Sequence, residues 1–373
     1  MKLSIPKADL QRGLARIQAI VERRNSMPIL ANVLLDARKD GDGSLFIAAT
    51  DLEVGIRSSL EAKVSKPGAL TVSARKLYDI VRELPDEPVS LAATANSYLE
   101  IHCGRARFSL AGASAEEYPS LPEFPSDRLV RLPAAVLSVM IERTMYAASL
   151  DETRYNLNGA FIEVDANAGK LRMVATDGHR LALVDRALGP EVEGLASGVI
   201  IPRKGLAETK RLVDEEDADD VEIGFAGNSG LVRRGGVTLV MRLIEGEFPD
   251  YRKVIPSGFE HSLVLPAEVL LHALRRVAVL SSERSRAVKL ELSEGRLVAS
   301  SNNPDLGEAQ EELDVDFDGP ALTLGFNVRY LLDALGALGA KEVRLGLRDA
   351  NSPAQLQPTD DADALAVVMP MRL

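Results

Sequence analysis

Thr176-Asp177-Gly178-His179-Arg180 sets a carboxylate, an imidazole and a guanidinium side by side next to a glycine. Residues of these types can move a proton, stabilise an oxyanion or help hold a metal. Each of those chemistries needs further partners. Hydrolysis requires a nucleophile within reach of a base, or a metal with three protein ligands. The chain has four histidines, His102, His179, His261 and His272, and none lies in an H-E-x-x-H setting. Its one cysteine, Cys103, excludes an intrachain disulfide and a cysteine-cluster zinc site. Neither G-x-x-x-x-G-K-[ST] nor G-x-G-x-x-G occurs.

The same pair also occurs earlier, as Thr50-Asp51-Leu52-Glu53, 126 positions before its second copy. Both copies read as apolar strand, Thr-Asp turn, apolar strand. Leu52 and Glu53 replace Gly178 and His179, so what repeats is a turn and not a catalytic set. The aspartate is expected to cap that turn by accepting backbone N–H groups. No catalytic residue, metal ligand or cofactor is expected. A weaker third copy is Ser300-Ser301-Asn302-Asn303-Pro304, so the period is about a third of the chain. A passive scaffold unrelated to nucleic acid stays open as another reading.

Elements that would position these turns repeat as well. Leu3-Ser4-Ile5-Pro6, Val130-Arg131-Leu132-Pro133 and Leu263-Val264-Leu265-Pro266 each read as a short strand with Pro at the start of a helix. A second strand-to-helix passage follows each turn, at Leu70-Thr71-Val72-Ser73, Val199-Ile200-Ile201-Pro202 and Leu322-Thr323-Leu324-Gly325. Each repeat of about 120 residues should hold two helices and roughly eight strands. The fold class is α+β with helices on one face of antiparallel sheets. Pro/Ser-containing stretches at Pro122 to Ser126 and Pro256 to Gly258 divide the chain into 1–125, 126–255 and 256–373.

Hydrophobic content of 46% over 373 residues supports ordinary globular cores. No apolar run is long enough for a membrane helix. Met1-Lys2-Leu3-Ser4-Ile5-Pro6 lacks a signal-peptide pattern. A cytoplasmic protein without a membrane partner is expected, and Cys103, in the strand Tyr98 to Cys103, reads as a buried structural thiol.

The net charge of −11 argues against nucleic acid unless the charges are segregated. The helical spacing implies that they are. In the first helix Leu10, Leu14, Ile17 and Val21 form the apolar stripe, and Arg12, Arg16 and Arg23 oppose it. Leu77, Ile80, Val81 and Leu84 do so in the second, against Arg75 and Arg82. The third offers Arg143 alone. Lys204 and Arg211 oppose Leu206 and Val213 in the fourth, and Arg275 and Arg276 oppose Leu270, Leu274 and Val277 in the fifth. In the sixth, Asp333 stands four residues after Arg329 as an ion-pair partner. Acidic residues collect elsewhere, chiefly in Asp214-Glu215-Glu216-Asp217-Ala218-Asp219-Asp220. Repeats that turn their helices one way would make a basic surface on an acidic protein. Such a surface attracts phosphate backbone. Aromatic content of 4% with no Trp disfavours stacking on single strands.

The whole chain resembles the bacterial DNA sliding clamp, the beta subunit of the replicative DNA polymerase III holoenzyme. The resemblance is carried by Pro28-Ile29-Leu30, Thr50-Asp51-Leu52-Glu53, Ala74-Arg75-Lys76, Leu157-Asn158-Gly159, Ala175 to Leu181, Pro202-Arg203-Lys204-Gly205, Phe248-Pro249-Asp250-Tyr251, Gly325-Phe326-Asn327-Val328 and Val368 to Leu373. It implies a non-catalytic processivity factor: a homodimeric ring of clamp-fold domains, helices lining the hole and sheets outside. The ring encircles double-stranded DNA without base-specific contacts. Implied partners are the clamp loader complex, replicative and translesion DNA polymerases, and clamp-motif proteins of mismatch repair and ligation. The DNA-facing residues would be Arg24, Arg75, Arg82, Arg203, Lys204, Arg211, Arg275 and Arg276. A partner-peptide pocket would use Arg154, Leu157, Thr176, Gly178, His179, Arg180, Leu181, Pro249, Lys253 and Val254. Asn327, Tyr330, Val367, Val368, Met369, Pro370, Met371 and Arg372 would complete it, with Arg154 and Arg180 as donors at its rim. The dimer interface would join Arg107, Phe108 and Leu110 to Val279 and Leu280. The chain departs from the family at Lys253, where Arg is frequent, and at Asn156, where an aromatic is. Pro353 and Pro358 are expected to alter an edge strand of the last domain.

Overall fold

The computed structural model describes residues 1–21, 27–39, 41, 43–121, 124, 129–165, 167–195, 197–215, 220–282 and 285–372. Arg23 and Arg24 of the expected basic face lie outside the described residues, as do Glu216 to Asp219 of the acidic run.

The first repeat runs β1 (Lys2–Ile5), α1 (Lys7–Ile17), β2 (Asn32–Arg38), β3 (Ser44–Thr50), β4 (Val54–Glu61), β5 (Lys63–Lys66), β6 (Gly68–Ser73), α2 (Ala74–Glu83), β7 (Val89–Ala93), β8 (Tyr98–Cys103) and β9 (Ala106–Ala113). The second runs β10 (Val130–Pro133), α3 (Ala134–Met145), β11 (Gly159–Asp165), β12 (Lys170–Thr176), β13 (Arg180–Ala187), β14 (Val199–Pro202), α4 (Arg203–Val213), β15 (Asp220–Ala226), β16 (Ser229–Arg234) and β17 (Val237–Arg242). The third runs β18 (His261–Pro266), α5 (Ala267–Ala278), β19 (Ala287–Ser293), β20 (Arg296–Asn303), β21 (Gly307–Asp314), β22 (Leu322–Asn327), α6 (Val328–Leu338), β23 (Glu342–Leu347), β24 (Ala354–Pro358) and β25 (Ala364–Val368). The helix-and-strand order predicted from the repeat therefore recurs three times.

Packing groups these elements into two compact units, residues 1–134 with 207–243 and residues 135–206 with 244–373. Sheet pairing is the reason. The first unit holds one antiparallel sheet in the order β10-β15-β16-β17-β4-β3-β2-β6-β9-β8-β7-β1-β5. The second holds the sheet β14-β11-β12-β13-β25-β24-β23-β18 and a smaller one, β21-β20-β19-β22. The strands of the second repeat are thus shared between the two larger sheets, through β17 on β4 and β25 on β13. Strand β24 lies between β23 and β25, so Pro353 and Pro358 flank an interior strand and not the expected edge. Pro358 ends β24 beyond its last pairing with β25, where a missing N–H is tolerated.

The apolar stripes follow the spacing. Leu10, Leu14 and Ile17 of α1, Leu77 and Val81 of α2, and Leu270, Leu274 and Val277 of α5 are buried. Helix α1 stops at Ile17, so Val21 lies outside it and Ile20 takes the buried place. Helices α1 and α2 pack together, as do α5 and α6. Ser73 caps α2 by accepting from the Lys76 N–H, and Asn327 caps α6 by accepting from the Arg329 N–H at 3.0 Å. Gly339 closes α6 in the left-handed conformation, φ +59.

Two arginines expected to face outward are spent on structure. Arg16 forms a bidentate pair with Glu215 just after α4, with Nε 2.8 Å from the carboxylate. Arg143 of α3, 17% exposed at its side chain, pairs with Asp361. In both cases a long side chain reached a carboxylate far away in sequence, which helical spacing cannot reveal. Arg234, not anticipated, is buried and donates to the Leu212 and Glu215 carbonyls, satisfying the end of α4.

Candidate functional site

Both Thr-Asp turns have one geometry. Asp177 Oδ1 accepts the His179 N–H at 2.9 Å and the Arg180 N–H at 3.0 Å. Asp51 Oδ1 accepts the Glu53 N–H at 2.9 Å and the Val54 N–H at 2.7 Å. Thr176 Oγ1 donates to the Arg180 carbonyl at 2.6 Å and accepts from the Gly178 N–H, as Thr50 does with Val54 and Leu52. The aspartates are turn caps, their lone pairs committed to backbone. Gly178 has φ +86, and Leu52 holds the same left-handed place at φ +79. In the third repeat Asn303 Oδ1 accepts the Asp305 N–H at 3.1 Å, a looser turn of related kind.

The second turn is elaborated. Arg180 is only 11% exposed, and its Nε meets Asp177 at 3.1 Å while Nη1 meets Asp333 of α6 at 2.6 Å. Its guanidinium lies over Tyr330 at 4.7 Å and over Tyr146 at 5.3 Å. Two carboxylates and two rings therefore hold it, and its expected role as a rim donor does not fit this environment. Burial pushes the Tyr146 phenol well above its ordinary pKa, and its hydroxyl lacks a hydrogen-bond partner among the described residues. Burial, then the charge of Asp177, raises Tyr330. His179 is exposed and stacks on Tyr330, centroids 6.3 Å apart. Arg154 is half exposed, and its Nη1 donates to the Asp177 carbonyl at 3.3 Å. These exposed donors, with Lys253 paired to Asp250 at 3.1 Å, remain usable by a ligand.

The chain's last residues dock beside this turn. Strand β25 pairs with β13 in the register Arg180↔Val368 and Leu181↔Val367. The Met369 N–H donates to the His179 carbonyl at 2.9 Å, and the Met371 N–H to the Gly325 carbonyl at 2.7 Å. Val174, Leu181, Leu183, Tyr251 and Val367 form a buried cluster with Phe161, Phe248, Ile255 and Leu365 against it. Val367 and Val368 are fully buried and Leu157 and Leu181 nearly so, hence they support the surface without forming it. Met369, Pro370 and Met371 are half-buried, while Pro249, Val254 and Arg372 are exposed. The structure thus gathers His179, Arg154, Tyr330, the two methionines and the Pro249–Val254 segment within one unit. An adaptable apolar surface with cationic edges is what these side chains make.

Residues 1–122 match the family described as DNA polymerase III beta subunit, N-terminal domain. Residues 131–250 match its central domain, and residues 252–372 its C-terminal domain. The chain belongs to the DNA polymerase III beta subunit family. It is 39% identical to the beta sliding clamp of Pseudomonas putida and 36% identical to that of Escherichia coli K12, each covered over 100% of both chains. Among solved structures, the DNA polymerase III subunit beta of Pseudomonas aeruginosa superposes with a TM-score of 0.93 at 38% identity. A sliding clamp of Bartonella birtlesii bound to griselimycin does so at 0.94 and 38%, both over 100% of each chain. The beta subunit is a processivity clamp of DNA replication and not a catalytic one, which accords with turns whose aspartates cap backbone.

On this beta subunit the basic helical residues differ in how far their charge is already answered. Arg82 pairs with Glu83 at 3.1 Å, Arg211 with Glu208 at 3.0 Å, and Arg276 with Glu311 through both its Nε and Nη2. Arg75 and Arg275 are exposed and have no carboxylate partner among the described residues. Arg203 and Lys204 are half-buried at the start of α4. Strand β9 pairs with β8 along its length, but with β6 only at Ala113 and Gly112, so the other side of Arg107 to Leu110 is open. Phe108 there is 41% exposed and Val279, after α5, 75% exposed; Leu280 is half-buried. Strand β21, at one edge of the small sheet, is an edge that the sequence reading missed. Its acidic, polar pattern gave no apolar signal. Also missed were Tyr146 and the Asp333–Arg180 pair, because the notable partner of Asp333 by spacing, Arg329, lies at 3.8 Å and Arg180, far off in sequence, at 2.6 Å. Cys103 is buried and hydrogen-bonded to two carbonyls, the structural thiol expected. No group of histidine, cysteine and carboxylate side chains fit for a metal occurs among the described residues.

Proposed function

We propose that this beta subunit acts as a homodimeric ring that encircles duplex DNA and tethers DNA polymerases, with repeats 1–125, 126–255 and 256–373 as its domains. The observation that carries this reading is likeness to beta sliding clamps over the full length of the chain. Phosphate contact without base reading suits the basic helices, because arginines on exposed helical faces meet backbone charge irrespective of sequence. Arg75 and Arg275 lead that contact. Arg82, Arg211 and Arg276 must first exchange a carboxylate for a phosphate. Dimerisation through Arg107, Phe108 and Leu110 against Val279 and Leu280 would cover exposed apolar residues beside an open strand edge, which otherwise invites aggregation. The contact joins unlike surfaces, so two copies close a ring by using it twice.

Partner proteins dock, in this reading, on the surface around His179, Arg154, Tyr330, Pro249, Val254, Met369 and Met371. The clamp loader, replicative and translesion polymerases, and mismatch-repair and ligation proteins are the partners the family implies. A cytoplasmic location follows from that work; no described helix is long and apolar enough to cross a membrane. Retention on nicked circular DNA, with loss after linearisation, tests the ring. Retention on neither sinks it. Deleting residues 369–373 while titrating a short peptide with Gln and a Leu-Phe pair tests the docking surface. Unchanged affinity in a folded dimer would refute it; loss of peptide with DNA retention intact supports it.

A further inference from the structure

The internal repeat predicts a counterpart, in the first unit, of the buried cluster beneath the second turn. Strand register identifies it position by position. Val54↔Met241 and Gly55↔Val240 match Arg180↔Val368 and Leu181↔Val367, and the Arg242 N–H donates to the Glu53 carbonyl as that of Met369 does to His179. The Phe161–Val174 pair corresponds to Leu34–Ala48. The Leu183–Leu365 pair corresponds to Arg57–Thr238. Glu247-Phe248-Pro249-Asp250-Tyr251 corresponds to Glu117-Tyr118-Pro119-Ser120-Leu121, so Leu121 stands for Tyr251.

Most of these changes are to a smaller or more polar side chain, the exception being Val254, whose counterpart is the larger Phe124. Two rings are lost, at Leu34 and Leu121; Val174 becomes Ala48 and Leu181 becomes Gly55. At these positions the first unit has a groove of about 600 Å³ lined by Leu34, Ala48, Arg57, Tyr118, Leu121, Phe124 and Thr238. Leu121 lies against Gly55, in the space a larger residue there would need. The groove also carries two guanidinium groups. Arg38 is held by Asp36 at 2.8 Å and lies over Phe46 at 4.5 Å. Arg57 is exposed, with no carboxylate partner among the described residues. An apolar floor beside a cation with no carboxylate partner among the described residues is complementary to an aromatic side chain next to a carboxylate.

We propose that this groove is a second docking site, taking a peptide segment of another protein that carries an aromatic residue adjacent to an acidic one. The probe is a dye-labelled acetylated pentapeptide with an Asp-Phe pair, followed by fluorescence anisotropy. It is titrated into full-length protein, into the 369–373 deletion, into Arg57→Glu, and into Ala48→Val with Thr238→Leu, which restores the second unit's residues. The proposal expects saturable binding to the first two. Affinity should fall by about tenfold or more in Arg57→Glu, the scale of a charge-assisted hydrogen bond. It should also fall in the filled variant, whose thermal midpoint should hold or rise as the groove closes. Absence of saturable binding to the full-length chain, or binding indifferent to both groove variants, overturns it. Binding lost on the 369–373 deletion alone assigns the peptide to the second unit's surface and equally overturns this site, so the two readings fail separately.

Discussion

A single side chain's commitments decide what the Thr-Asp turn can do. Asp177 and Asp51 spend their Oδ1 lone pairs on two backbone N–H groups each, which leaves neither free as a base. The turn position between them needs φ near +80, supplied once by Gly178 and once by Leu52. A branched residue held there costs about 1 kcal/mol or more. Gly178→Ala should therefore destabilise the second unit by about 1 kcal/mol, while Leu52→Gly should leave stability unchanged or raise it. Denaturant unfolding of both variants checks this; equal losses would show that the backbone conformation is not the determinant. Tyr146 offers a related test. Its hydroxyl is buried without a hydrogen-bond partner among the described residues, and leaving a polar group so costs roughly 1–3 kcal/mol. Tyr146→Phe should be neutral or stabilising, and a marked loss of thermal stability would mean the hydroxyl is bonded.

Ion pairs between elements set the frame around the candidate site. Asp361 precedes β25 and receives Arg143 from α3 and Arg186 from β13, the latter at 2.6 Å. Burial opposes ionisation of Asp361, yet Arg186 and then Arg143 outweigh it and hold the carboxyl below its ordinary range. A depressed folded-state value contributes stability above the unfolded carboxyl value and loses it as pH falls through the folded one. Asp361→Asn should thus destabilise the second unit at pH 7 by about 2–4 kcal/mol, because two partly buried guanidinium groups lose their counter-charge. The gap from the unsubstituted chain should close as pH falls below the ordinary carboxyl value and through the lowered folded one. A gap constant from pH 7 to pH 2 would contradict the assignment. Helical stripes around these pairs were readable, since burial at 3–4 spacing recurs within each helix. The fates of Arg16 and Arg143 were not, because Glu215 and Asp361 lie 199 and 218 positions away.

For the whole molecule, the proposed ring makes one prediction for assembly and one for DNA retention. Replacing Val279 and Leu280 with Ala removes apolar area from the proposed contact, so sedimentation should show monomers at low concentration. A persistent dimer would place the interface elsewhere. Arg75→Glu with Arg275→Glu should weaken retention on nicked circular DNA equally for all sequences. The salt slope should flatten by roughly one per lost phosphate contact. The same reversal at Arg82 and Arg211 should matter less, their charge being already answered by Glu83 and Glu208. Equal effects of the two pairs would show that ion pairing does not grade the contacts.

Sequence alone determined the threefold recurrence of strand, helix and Thr-Asp turn, because periodicity and turn chemistry are local and survive in the residue pattern. It also determined that Asp177, His179 and Arg180 need no catalytic reading, since Asp51 repeats the turn without the imidazole. Only the tertiary structure decided how the strands of the second repeat are divided between two sheets, because β4–β17 and β13–β25 pair residues nearly two hundred positions apart. Tertiary structure likewise tied Arg180 to Asp333 and Tyr330. Asp333 and Tyr330 come from a helix about 150 positions away, and a guanidinium spends its donors on whichever carboxylates the fold brings within 3 Å.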